Sequence, residues 1–224
     1  IQTANIAFDE EETQVDWNGN GSNGPAEGFS PIGNSTTEFE GSYDGDGHTI
    51  SNLYINRPST DKIGLFGYVS YGKIIENIGV VDVDITGDDA VGGLVGHNSN
   101  YPSIVSNAYS TGSVNGYAHV GGLVGLNAAG TTIENSYSTA DVTGSNSSNN
   151  YVGGLVGYNG KATVSNSYSR SDVTRASGTN TNFGGFCGYN NGDGENATIE
   201  YCYSTGDVFQ SAGVAWASGD KGFV

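Results

Sequence analysis

An all-β fold, a parallel β-helix with about 30 residues and three short strands in each coil, is what the sequence predicts. Three observations predict it: a glycine-centred phrase recurring at a near-constant step, residue columns that align between its copies, and a composition that disfavours helix. The phrase reads IGLFG, VGGLVGHN, VGGLVGLN, VGGLVGYN and FGGFCGYN in turn. It places Gly64, Gly93, Gly122, Gly154 and Gly185, and a final KGFV places Gly222. A period of 20–50 residues marks a solenoid, a propeller or an array, and a propeller blade takes about 40–45 residues and four strands. The shorter step fits one turn of a β-helix, whose equivalent strands pair about 4.8 Å apart in successive coils.

Composition agrees. The chain has 37 Gly, 14 Tyr and no Met, and only 14% of it is charged. Gly, Asn, Ser, Thr and β-branched residues sit on the weak side of the helix scale and suit short strands joined by turns.

Taken in order, residues 1–28 precede the repeats and read as an N-terminal cap or linker. Residues 29–224 read as the β-helix, ending in mid-motif as if trimmed from something longer. Between the phrases runs a second element: IIENIGVVDVDITG, IVSNAYSTGSVNG, TIENSYSTADVTG, TVSNSYSRSDVTR and TIEYCYSTGDVFQ. Stacked, these give four columns. Ile75, Val105, Ile133, Val164 and Ile199 form the first, and Val114, Val142, Val173 and Val208 the last. Asn77, Asn107, Asn135 and Asn166 form another, expected inside the coils at turns, and Tyr201 breaks it. Tyr109, Tyr137, Tyr168 and Tyr203 form the remaining one. Length varies only in Gly/Asn/Ser-rich runs such as TGSNSSNNY, as loops allow.

The phrase itself is architectural. Its paired glycines are expected where the backbone is left-handed or tightly packed, with Leu94, Leu123 and Leu155 filling the interior. No Lys-Ser/Thr or helix follows it, as a phosphate cradle requires. The Tyr column is the candidate ligand face: turned outward it offers rigid area with polar tips. Alternation places Tyr109 on the face of Asn107, so an interior Asn column favours inward or corner packing for the tyrosines.

Twenty-four acidic against 7 basic residues give a net charge of −17. The few Lys and Arg are scattered, which excludes a nucleic-acid partner, and no run of 18 apolar residues inserts into a membrane. No enzyme is expected. Carboxylates do not cluster on neighbouring strands, and no His-Glu-x-x-His motif occurs. No cofactor is expected beyond calcium, for which Asp44, Asp46, Asp88, Asp89 and Asp193 are the candidates. The loop YDGDGHT lacks the later Glu of an EF-hand and reads as a β-turn. His48, His97 and His119 read as solvated turn residues. Cys187 and Cys202, in one coil, leave two readings: a disulfide or two buried thiols.

The phrases resemble the bacterial GLUG motif, with its Gly-Leu-any-Gly core. The stretch FSPIGNSTTEFEGSYDGDGHTISNLYINRPSTDKIGLFG is similar to the segment that precedes such repeats. The last coil departs from the pattern at Phe186, Cys187 and Tyr201. The resemblance implies a right-handed parallel β-helix in a secreted or cell-surface bacterial protein. Such repeats occur in adhesin-like proteins and in the non-catalytic part of IgA-specific metallopeptidases. The expected function is therefore a non-catalytic module for adhesion to a host or environmental glycan or protein surface. Two alternatives stand beside it. One is a self-assembling filament subunit or spacer, associating end to end through its open strand edges. The other is a non-catalytic domain of a secreted protease or polysaccharide-degrading enzyme.

Overall fold

The structure is a computed structural model, and it describes residues 1–8, 27–99, 102–145, 150–177, 182–192, 194 and 196–210. Gly222, Asp193 and most of the N-terminal 28 residues lie outside that set. Among the described residues every regular element is a strand, and the strands stack in parallel into a β-solenoid of about five turns.

One coil shows the plan. Ile104–Gly116 runs along a fifteen-stranded sheet, Ala118–Gly121 belongs to a four-stranded sheet, and Val124–Asn127 belongs to a five-stranded one. In the next coil the long strand divides into Thr132–Glu134, Tyr137–Ser138 and Asp141–Gly144. Each strand pairs with its counterpart one coil away, so that sequence columns become rows in space. Ile75, Val105, Ile133, Val164 and Ile199 are consecutive partners, as are Val114, Val142, Val173 and Val208. Leu65, Leu94, Leu123, Leu155 and Phe186 are all buried. Full burial stabilises each such side chain by about 1.5–3 kcal/mol, and the rows distribute this along the solenoid.

The paired glycines answer to packing, not to a left-handed backbone. Positive φ is found elsewhere, at Asn77, Asn107, Asn135, Asn166 and Tyr201, between 49° and 55°. A Cβ at Gly93 would lie 2.6 Å from the carbonyl oxygen of Gly122 and 2.9 Å from Ser110 Cβ; one at Gly122 would overlap Ser138, and one at Gly154 would overlap Ser169. A Cβ at Gly64 would meet the Gly92 carbonyl oxygen at 2.7 Å. Gly185 continues the series and is buried. The glycines thus let the coil flatten until serines of the opposite wall reach them. Ser110 donates to Gly122 O at 2.6 Å and Ser171 to Gly154 O at 2.9 Å. The recurring phrase is a place where two walls touch.

At the N-terminal end, Ile6 and Ala7 pair with Ile50 and Ser51. Gln2 donates its backbone N–H to Asp44 O and accepts from Tyr43 Oη at 2.7 Å. Residues 1–8 thus lie on the first coil as an added rung.

Candidate functional site

Strand alternation puts Ala108, Ser136 and Ser167 inside and their neighbours Tyr109, Tyr137 and Tyr168 outside. The tyrosines form an outward ladder. Tyr109 stacks on Tyr137 at 4.8 Å, Tyr137 on Tyr168 at 4.7 Å and Tyr168 on Tyr203 at 5.2 Å, with planes within 7° of parallel. These spacings are those of the strands beneath. The inward or corner placement is therefore corrected. Tyr and Asn do share a face, as alternation requires, but that face is the outer one.

The Asn column lies at an outer corner because its residues adopt left-handed backbone, which Asn tolerates better than other non-glycine residues. Asn107 Nδ2 donates to Asn77 Oδ1 at 3.1 Å, and Asn77 Nδ2 donates to Asp44 Oδ1 at 3.0 Å. The interior ladder is a different set, which columns centred on Asn77 overlooked: Asn98, Asn127, Asn159 and Asn190, the final residues of the phrases. Asn98 donates to Asn127 at 3.0 Å, Asn127 to Asn159 at 2.9 Å and Asn159 to Asn190 at 2.8 Å. Their invariant place at the end of VGGLVGxN was the available signal.

The Tyr row stops at Gly79, the strand partner of Tyr109. The Tyr109 ring lies over this glycine, where an added Cβ would overlap it. Beside it opens a groove of about 480 Å³ lined by Asp46, Gly47, Asn77, Ile78, Gly79, Asn107 and Tyr109. No Lys or Arg lines it. Two coils away from Tyr109, Arg170 sits 5.4 Å from the Tyr168 ring centre.

The four described calcium candidates lie in two separate pairs along the chain, Asp44 with Asp46 and Asp88 with Asp89. Asp44 Oδ1 accepts the Asp46 N–H at 2.9 Å, and the Asn77 amide together with this N–H holds the Asp44 carboxyl below its ordinary range. Asp88 and Asp89 lie at another corner. Partial burial, then Asp61 and Asp89, pushes the Asp88 carboxyl up. Burial alone would raise Asp89, but the hydrogen bond and charge of His119 outweigh it and hold it low. Among the described residues no three His, Cys, Asp or Glu side chains converge as a metal site.

Two histidines are not solvated turn residues. His97 packs edge-on against Tyr68 at 4.7 Å, and burial, followed by the nearby Lys62 charge, pushes its pKa down to about 4. His119 pairs with Asp89 and packs against Tyr151 and Tyr158. Cys187 and Cys202 are free thiols: Cys187 starts a strand of the five-stranded sheet, and Cys202 lies between Thr198–Glu200 and Tyr203–Ser204 of the fifteen-stranded one. Cys187 continues the interior row of Val95, Val124 and Val156, where burial pushes its thiol up to about 12.

Comparison with known proteins bears on this arrangement. The family model described as the GLUG motif matches residues 87–115, 116–143, 148–174 and 179–208, together half of the chain. Halomucin of Haloquadratum walsbyi is 42% identical over 112 residues, covering 49% of this chain and 1% of its own length. A protein of Evansella cellulosilytica, described as a Gly-rich membrane protein, is 31% identical over 136 residues, 47% of this chain and 16% of its own. The chain thus spans a small part of both relatives. A crystal structure from Bacteroides ovatus, described as an immunoglobulin A1 protease, aligns with a TM-score of 0.51 at 18% identity, covering 86% of this chain and 67% of that one. That likeness is one of fold.

Proposed function

The chain belongs to the family of GLUG-motif proteins, and from that premise we propose that it is a non-catalytic interaction module of a protein working at or outside the cell surface. The observation that carries this reading is the outward Tyr ladder, held in register by the strands beneath it and ending in an open groove. Rigid aromatic area with polar tips is what recognition surfaces use, since it is presented at little entropic cost. The names of the two relatives, halomucin and a Gly-rich membrane protein, support the surface location. A charge of −17 also keeps such a surface soluble and apart from anionic polymers. The partner is a host or environmental glycan or protein surface, and calcium remains a candidate co-ligand.

A second reading, a spacer within a much longer chain, draws on the small share of the relatives that these coils cover. Capture on an array of glycans and extracellular proteins separates the two. The interaction reading expects saturable capture that is lost when Tyr137 and Tyr168 are both changed to Ser. A spacer captures nothing.

A further inference from the structure

Along the ladder the ring faces are spent on one another. Tyr137 and Tyr168 each lie between two parallel rings, so they show a partner only their edges and hydroxyls. Tyr109 differs. One face meets Tyr137, and the other lies over Gly79, where the row has no ring; the part of the ring left exposed lines the groove. Around the groove stand groups that both donate and accept. The Asp46 carboxylate is exposed and uncommitted. Asn107 uses one amide hydrogen on Asn77, and Asn77 one on Asp44, which leaves each a second hydrogen and leaves Asn107 its carbonyl.

We propose that this groove is a binding subsite for an uncharged saccharide ring, and this inference rests on the surface-interaction reading above. A pyranose has C–H groups that pack against the exposed part of an aromatic ring such as Tyr109. It also has hydroxyls that donate to a carboxylate while accepting from amides. The volume of about 480 Å³ lies within the range of small-ligand sites. Charge fixes the class: with Asp44, Asp46 and Glu76 at hand and no Lys or Arg in the lining, an acidic sugar is repelled. The turn at Asp46 and Gly47 forms the outer wall, and both residues have positive φ, at 50° and 77°.

The test uses the full chain and isothermal titration with neutral oligosaccharides of gluco, galacto and manno configuration, an acidic oligosaccharide of equal length, and calcium alone. Gly79→Tyr is the decisive variant. Its Cβ meets the far end of the Tyr109 ring, which must shift to admit it, so the substitution fills the groove and displaces the ring that lines it. Circular dichroism melting checks that both variants are folded. The proposal expects a neutral oligosaccharide to bind, Gly79→Tyr to weaken it roughly tenfold or more, and Asp46→Asn to weaken it several-fold. Equal binding by wild type and Gly79→Tyr overturns it, as does binding of only the acidic sugar or only calcium, or of no saccharide. Array capture that Gly79→Tyr leaves intact would remove the groove while the surface-interaction reading stands. Absence of all capture removes both.

Discussion

At the residue scale, identical side chains do opposite work according to the wall they occupy. Asn127 is buried between two other amides, whereas Asn135 sits at an exposed corner with φ of 50°. Asn127→Ala orphans buried amide groups on both sides and is expected to cost roughly 2–4 kcal/mol in urea unfolding. Asn135→Gly, which suits the left-handed backbone, is expected to stay within about 1 kcal/mol of wild type. Sequence alone showed that such residues recur in register, because a period is a property of spacing. It did not show which face each column occupies: Asn serves equally in an amide ladder and a left-handed corner, and two cysteines of one coil can face different sheets. His97 provides a pH test. Its folded pKa of about 4 lies below the ordinary value of 6.5, so below pH 6.5 the unfolded chain takes up a proton that the folded chain refuses. Stability is thus flat above about pH 6.5 and falls toward pH 4, by at most about 3 kcal/mol from this group. His97→Leu, matching Leu126 one coil along, should remove that part of the fall in thermal melts at about pH 7.5 and 4.5. An unchanged fall would assign the acid sensitivity to other groups.

At the element scale, the apolar rows were legible before the structure. Ile75 to Ile199 and Val114 to Val208 need only period and apolarity, and both rows stack as expected. The Tyr row was legible as a row but not as a surface, since its side followed from the misplaced Asn column. The groove was not legible, because it depends on Gly79 occupying the Tyr position and on a turn from another coil lying beside it. Stacking two neighbours, Tyr137 is worth more than the end member Tyr203. Tyr137→Ala is expected to lower stability by about 1–3 kcal/mol and Tyr203→Ala by about half as much, while Tyr137→Phe keeps the stack and stays near wild type. Denaturant midpoints at constant slope distinguish these outcomes. Equal costs at both positions would mean that the rings do not support one another.

At the scale of the whole molecule, each coil contacts chiefly its neighbours, so the solenoid holds its outer rows as a nearly one-dimensional array. Phrase glycines, serines and interior amides fix the coil's shape, which leaves the outer Tyr and Asn rows for a partner. That division between a repeated inner phrase and an outer recognition face is the central claim. Amide chemical-shift mapping tests it most directly, with the isotope-labelled chain titrated with a neutral oligosaccharide. The account predicts that shifts concentrate at Asp46–Gly47, Asn77–Gly79 and Asn107–Tyr109 while the buried phrase strands stay still. Shifts centred on the five-stranded sheet around His97, Leu126 and Tyr158, with the Tyr109 groove unmoved, would contradict it.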